Sequence, residues 1–276
     1  MISVVIPLYN KEGSIRQSLE SVLSQDYDDF EVVIVDDGST DKSVSIVEQI
    51  KDSRICLIKQ TNCGPGKARN TGIKNAKGEW IVFLDADDVL LPEALSCFAK
   101  QIKLHDGIEF FCAPYFAVHG GDKCLPFHYD STFVANPYKE HFYGRLLPRT
   151  GAFCCTRQLC VEFPFDERIR RFEDLEWLYR IYHHTAVRTI SQPVLENNIE
   201  FSSASRARSD IKEDFLGYLD FRQKSFWEKM ALYSFFLGER DYYPEQCRKL
   251  YPWLYRRYDW LLIYKAVLFM KRFYKE

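Results

Sequence analysis

Residues 80–88 run Trp-Ile-Val-Phe-Leu-Asp-Ala-Asp-Asp, an apolar stretch that stops at three carboxylates within four positions. Ile81, Val82, Phe83 and Leu84 suit a strand buried on both faces, as in a parallel sheet. Asp85, Asp87 and Asp88 then gather negative charge at its carboxyl end, where open α/β sheets hold their ligands. A cation relieves such crowding, and hard oxygen ligands suit Mn²⁺ or Mg²⁺. The same acids would also serve as a turn capping a helix that starts near Pro92. A second strand, Glu31 to Val35, ends in Asp36-Asp37-Gly38-Ser39-Thr40-Asp41. Gly38 suits a tight turn, Ser39 or Thr40 a helix N-cap, and Asp41 the positive end of the helix dipole. Two acid-tipped strands in one sheet point jointly to a nucleotide-and-metal site.

Between those strands lies Asn62-Cys63-Gly64-Pro65-Gly66, a loop leading into a helix from Lys67 to about Ala76. It lacks the third glycine of a dinucleotide fingerprint, and the chain carries no Walker A sequence. The loop instead sets Lys67 and Arg69 beside the free N–H groups of a helix start, which would suit a diphosphate. A solvated helix face would carry the same two cations.

Positioning these groups takes an alternation of strands and helices. Ile2 to Ile6 reads as a first strand, and Gly13-Ser14 opens a helix with Ile15, Leu19, Val22 and Leu23 on one face. A second helix runs from Ser43 to Ile50 with Val44, Val47 and Ile50 inward, and Ile55 to Lys59 is a third strand. Trp80 to Leu84 is the fourth strand, Pro92 to Leu104 a helix, and Ile108 to Val118 a further strand. The βαβαβαβ order predicts an α/β class: a Rossmann-like, mostly parallel sheet flanked by helices. Residues 122–160 read as mixed loops and short strands, Phe172 to His183 as a helix, and Ser202 to Arg206 as a loop. Beyond Asp210 the pattern is helical.

In chain order, Val4-Val5-Ile6-Pro7-Leu8-Tyr9-Asn10, Ser21-Val22-Leu23-Ser24-Gln25 and Val35-Asp36-Asp37-Gly38-Ser39-Thr40-Asp41 resemble glycosyltransferase family 2. So do Gly66-Lys67-Ala68-Arg69-Asn70-Thr71-Gly72, Gly78-Glu79-Trp80 and Phe83-Leu84-Asp85-Ala86-Asp87-Asp88. The likeness is dense over residues 1–92 and returns at Phe172-Glu173-Asp174. It implies a GT-A fold and inverting transfer of a sugar from a nucleotide diphosphate, a UDP-sugar being favoured, to a saccharide or lipid-linked glycan. By position it implies that Pro7, Tyr9 and Asp37 line the nucleobase pocket with Glu12 nearby, and that Arg69 sits near the nucleobase or diphosphate. Asp85 would bond the ribose, and Asp87 would ligate a divalent metal, Mn²⁺ or Mg²⁺. Asp88 would orient the loop or cap a helix. Asp174 would be the general base that takes the acceptor hydroxyl's proton; as a plain structural feature, Glu173-Asp174 would favour the helix dipole and pair with Arg170-Arg171. His184 is a further candidate at the metal, and Ser203, Ser205 and Arg206 resemble a loop that closes over the donor.

The resemblance divides the chain into a catalytic domain over 1–209, with a nucleotide-binding half (1–105) and an acceptor half (106–209), and a helical extension over 210–276. No Gln-x-x-Arg-Trp sequence marks a processive enzyme, so a single transfer is expected. A nucleotidyltransferase would want a glycine- and arginine-rich loop after the first strand, where Pro7-Leu8-Tyr9-Asn10 stands. A catalytically inactive nucleotide-sugar-binding subunit that recruits partners to a membrane is the non-enzymatic alternative.

Net charge is −2 over 276 residues, which gives no global pull toward nucleic acid. Nine cysteines, two of them the vicinal Cys154-Cys155, read as reduced thiols. With no leader and no apolar window of about 18 residues, a cytoplasmic location is expected. Residues 249–276 set seven Lys and Arg against Asp259 and Glu276, interleaved with Trp253, Trp260 and several tyrosines. That composition suits an interfacial helix on the inner face of a cytoplasmic membrane, or a helix packed on the catalytic domain with its cations snorkelling.

Overall fold

The computed structural model describes residues 1–198 and 210–254. Four strands open the chain: β1 (Ile2–Leu8), β2 (Phe30–Asp36), β3 (Ile55–Lys59) and β4 (Trp80–Phe83). Helices α1 (Ile15–Leu23), α2 (Ser43–Gln49) and α3 (Pro65–Asn75) connect them. These strands pair in parallel in the order β3-β2-β1-β4, as right-handed crossovers dictate. Then follow β5 (Val89–Leu90), α4 (Ala94–Leu104), β6 (Phe110–Cys112), β7 (Tyr115–His119), β8 (Asp122–Cys124) and β9 (Phe133–Val134). After α5 (Pro137–Phe142) come β10 (Phe153–Thr156), α6 (Arg157–Glu162), α7 (Glu173–Ile181), β11 (Val187–Thr189) and β12 (Leu195–Asn198). Among the described residues the large sheet has eight strands, continuing from β4 through β10, β6 and β11 to β9. A second sheet, β5-β12-β7-β8, has four.

Successive side chains of β1 point to opposite faces, so Val5 joins one apolar layer and Val4 and Ile6 the other. The first layer holds Val33, Val35, Ile81 and Phe83 with α3, α6 and α7. The second packs Ile34, Val82 and Leu84 against α1 and α4. Gly72 lets α3 approach β1 closely: a Cβ there would lie 2.3 Å from Val5 Cγ1.

The segment after Asp210 joins the first layer through Phe215, Leu216, Leu232 and Phe236. It carries 3₁₀ turns at Ile211–Glu213, Phe215–Tyr218 and Arg240–Tyr242, with α8 (Phe226–Glu239) and α9 (Pro244–Leu250). It is therefore less uniformly helical than its sequence pattern.

Other departures are local. Ile108–Val118 is two strands in two sheets, because Pro114 has no N–H for a ladder and its carbonyl accepts from Val194 instead. Residues 122–160 contain the helix α5 and the start of α6 as well as short strands. Val47 is buried on α2, but Val44 and Ile50 are only half-buried. Neither Ser39 nor Thr40 caps that helix: Ser39 N–H donates to Asp36 and Thr40 N–H to Asn10, while Asp41 accepts from Ser43 N–H at 2.9 Å. Cys155 and Cys160 bring their thiols to 3.3 Å, and the nine cysteines are free. The Ser202–Arg206 loop and most of the basic aromatic segment, residues 255–276, lie outside the described residues. No helix among the described residues is long and apolar enough to cross a membrane.

Candidate active site

The carboxyl ends of β1, β2 and β4 meet the amino ends of α3 and α7, and their charged side chains interlock. Arg69, on the inward face of α3 and 3% exposed, is the hub. Its Nη2 donates to Asp85 Oδ1 at 2.8 Å and its Nη1 to the Glu173 carboxylate. A residue just past β4 and one opening α7 are thus held by a single cation. Arg69 was expected near a nucleobase or diphosphate; here both terminal nitrogens are engaged by carboxylates, and its Nε is buried without a protein partner among the described residues. Asp85 Oδ2 accepts from Thr150 Oγ1 at 2.8 Å.

One cation shared by two carboxylates cannot neutralise both. Burial would push Asp85 up, but the Arg69 guanidinium and Thr150 hold it below the usual carboxylate range. Glu173 is pushed up to about 7, chiefly by burial and then by Asp174, against the pull of Arg69. An unfolded glutamate loses its proton near ~4.3, so between that value and about 7 the folded state binds more protons. This part of the stability is complete below the lower value and is lost as pH rises through the upper one. Glu173→Gln keeps a partner for Arg69 and has nothing to ionise. Wild type is expected to lose on the order of 2–3 kcal/mol more than this variant between about pH 5 and 8. Urea midpoints across that range check it, and parallel profiles would refute it. Asp88, pushed up to about 8 mainly by burial and then by Asp85, contributes a slope of the same sign to both proteins.

Asp87 and Asp88 diverge. Asp88 caps no helix: Asn197 Nδ2 donates to its two oxygens at 2.8 and 3.0 Å, and Asn198 N–H to Oδ1 at 3.0 Å. It ties the acidic loop to β12. Asp87 Oδ2 takes the Lys11 ammonium at 2.6 Å. Burial, then Asp85, pushes Asp87 up while Lys11 opposes. As to a divalent metal, Asp85 and Asp88 commit both oxygens to protein donors, whereas Asp87 is held by one flexible ammonium. A single carboxylate suits a cation that arrives with phosphate oxygens of its own, so the residues fit such a metal at Asp87. His184 stacks on Phe163 at 4.1 Å, and no three potential ligands cluster among the described residues.

On the β2 side, Asp37 is buried and accepts from Gln60 Nε2 at 2.7 Å, Cys63 N–H at 2.9 Å and Gly64 N–H at 2.8 Å. Asp37 thereby fixes the loop before α3. A carboxylate offers about four acceptor positions, so one remains. Tyr9, just past β1, is 48% exposed, while Pro7 is half-buried in β1. Glu12 is exposed and its carboxylate accepts from Lys42 N–H at 2.9 Å, at the start of α2. Asp174, half-buried, accepts from Leu175 N–H at 2.8 Å.

Sequence reasoning missed Lys11, Thr150, Asn197, Asn198 and Arg149. The last lies in the field of Asp88, Asp85 and Asp174, and its Nε is buried without a protein partner among the described residues. Arg149 and Thr150 belong to a turn closed by Ala152 N–H donating to Arg149 O at 2.8 Å.

The family model described as "Glycosyl transferase family 2" matches residues 3–185, and the chain belongs to that family. The structure is similar to that of *Staphylococcus aureus* TarS 1–349 in complex with UDP-GlcNAc, with TM-score 0.71 and 25% identity over 91% of this chain and 75% of that one. The fold is accordingly GT-A. Over 97 residues the chain is 44% identical to the *Escherichia coli* UDP-Glc:alpha-D-GlcNAc-diphosphoundecaprenol beta-1,3-glucosyltransferase WfaP, covering 35% of this chain and 39% of that protein. An uncharacterized glycosyltransferase of *Haemophilus influenzae* is 44% identical over 98 residues, 34% of this chain and 39% of the relative. The chain thus spans about two fifths of the length of these curated relatives.

Proposed function

We propose that this chain transfers a sugar, with inversion, from a nucleoside-diphosphate sugar to the hydroxyl of a saccharide or lipid-linked acceptor, in a single non-processive step. The Arg69 bridge between Asp85 and Glu173 carries the reading, since it sets the carboxyl end of β4 against the first turn of the helix that bears Asp174. A UDP-sugar is the favoured donor, a choice supported by the names of WfaP and of the TarS complex.

In this reading Tyr9 offers a face for the nucleobase and Asp37 its remaining acceptor position, while Pro7 and Glu12 border the pocket. Asp85, oriented by Arg69 and Thr150, takes the ribose. Asp87 holds Mn²⁺ or Mg²⁺, which when bound offsets charge on the departing diphosphate. Asp174 takes the proton of the attacking hydroxyl as that oxygen bonds to the anomeric carbon and the diphosphate leaves. Arg149, with Arg69 and Lys11, adds fixed positive charge among the carboxylates of the pocket. The aromatic and basic carboxyl-terminal segment would dock the enzyme on the cytoplasmic membrane surface.

A panel of nucleotide-sugars with Mn²⁺ tests this. One UDP-sugar is expected to raise the melting temperature and to release UDP, because a ligand that binds only the folded state stabilises it by mass action. Stabilisation without UDP release, even with acceptors supplied, would favour an inactive binding subunit. No response to any nucleotide-sugar would overturn the proposal.

A further inference from the structure

The turn leading into α7 is strained, and the segment after Asp210 holds it. Phe172 has φ 60° and ψ 28°, a left-handed conformation in which a large side chain crowds its own backbone. No side chain of Phe172 caps the helix that follows. The backbone around it is instead stitched to the later segment: Arg170 and Arg171 N–H both donate to Glu213 O, at 2.6 and 3.2 Å, and Phe215 N–H donates to Arg171 O at 3.1 Å.

Side chains reinforce the stitch. The Arg171 guanidinium donates to Asp214 at 2.8 Å and to Glu239, at the end of α8, at 2.7 Å. It lies between two aromatic faces, 4.4 Å from the Phe172 ring centroid and 4.2 Å from that of Tyr242. Phe172 also meets Phe235 edge-on at 5.0 Å, and Phe235 stacks on Phe215 at 5.1 Å. Asp214 is fully buried, so this is no surface ion pair.

We propose that the segment 210–242 is a clamp that aims Asp174, with Arg171, Asp214, Glu239 and Tyr242 as positioning residues for transfer. The inference rests on the reading of Asp174 as general base. Asp174 follows Phe172 by two residues, directly after two guanidinium anchors. Arg69 fixes Glu173 from the donor side, and Arg171 fixes Phe172 from the carboxyl-terminal side. Releasing the second anchor lets the turn relax toward an ordinary conformation and swings the Asp174 carboxylate away from the hydroxyl it must deprotonate.

Arg171→Met would leave the buried Asp214 charge unpaired and risks unfolding, so the informative variants are Arg171→Lys, which keeps charge but loses the two-carboxylate fork, and Tyr242→Ala. UDP-sugar turnover with Mn²⁺ and UDP affinity by calorimetry are measured for each. Turnover is expected to fall by about tenfold or more, with UDP affinity within about twofold, because a small misplacement of a reacting group costs rate rather than donor binding. Asparagine tolerates the left-handed turn better than phenylalanine, so adding Phe172→Asn to Arg171→Lys is expected to restore part of the rate. Turnover at the wild-type level in both single variants, or equal losses of rate and UDP affinity, would overturn the clamp. A wild-type enzyme without turnover on any UDP-sugar would instead remove the glycosyl-transfer reading beneath it.

Discussion

Asp174→Asn is expected to lower transfer by about 10²–10⁴-fold, the usual span for loss of a general base, with UDP affinity nearly unchanged. The substitution is nearly isosteric, and its amide oxygen can still accept from Leu175 N–H as the carboxylate does at 2.8 Å. It cannot take a proton. The Arg69 bridge passes through the neighbouring Glu173, not through Asp174, so the link between α3 and α7 survives the change. A drop in rate with an unshifted urea midpoint would therefore report chemistry and not folding. Near-full turnover would remove Asp174 from the reaction, and a matching loss of UDP affinity would make it a donor-binding residue.

The sequence made one half of the site readable and left the other half hidden, for reasons that differ residue by residue. Val32 to Val35 and Ile81 to Leu84 are wholly buried, so their continuous apolar runs announced strands covered on both faces, and the acids at their ends stood out by contrast. Asp85 and Asp87 were legible in that way. Lys11, Asn197 and Asn198 were not, because their meaning lies in contacts with the acidic loop across 76, 109 and 111 positions of chain. No local period encodes such pairings. Arg149 stands in a weakly patterned stretch whose order comes from the turn that also delivers Thr150 to Asp85. The split of Ile108–Val118 did carry a signal, since Pro114 interrupts the run, and the apolar residues around it outweighed the proline in the reading. The left-handed Phe172 had no such signal: local propensity argues against it, and tertiary contacts impose it.

Asp87→Ala is expected to abolish the contribution of Mn²⁺ to UDP binding, a contribution of about tenfold or more, which is about 1.4 kcal/mol at the least. The Lys11 ammonium lies 2.6 Å from Asp87, and burial with the neighbouring Asp85 already works against the charged form of that carboxylate. A diphosphate brings further negative charge to the same pocket, and a divalent ion is a compact way to offset it. Removing Asp87 takes away the proposed metal ligand and also deletes one anion facing the phosphates. The variant should therefore bind UDP in EDTA at least as tightly as wild type, and weaker than wild type only when Mn²⁺ is present. Calorimetry under the two conditions reads both signs. A variant weakened equally with and without Mn²⁺ would mean that Asp87 supports the pocket's shape and not a metal, and an undiminished Mn²⁺ effect would place the ion on other ligands.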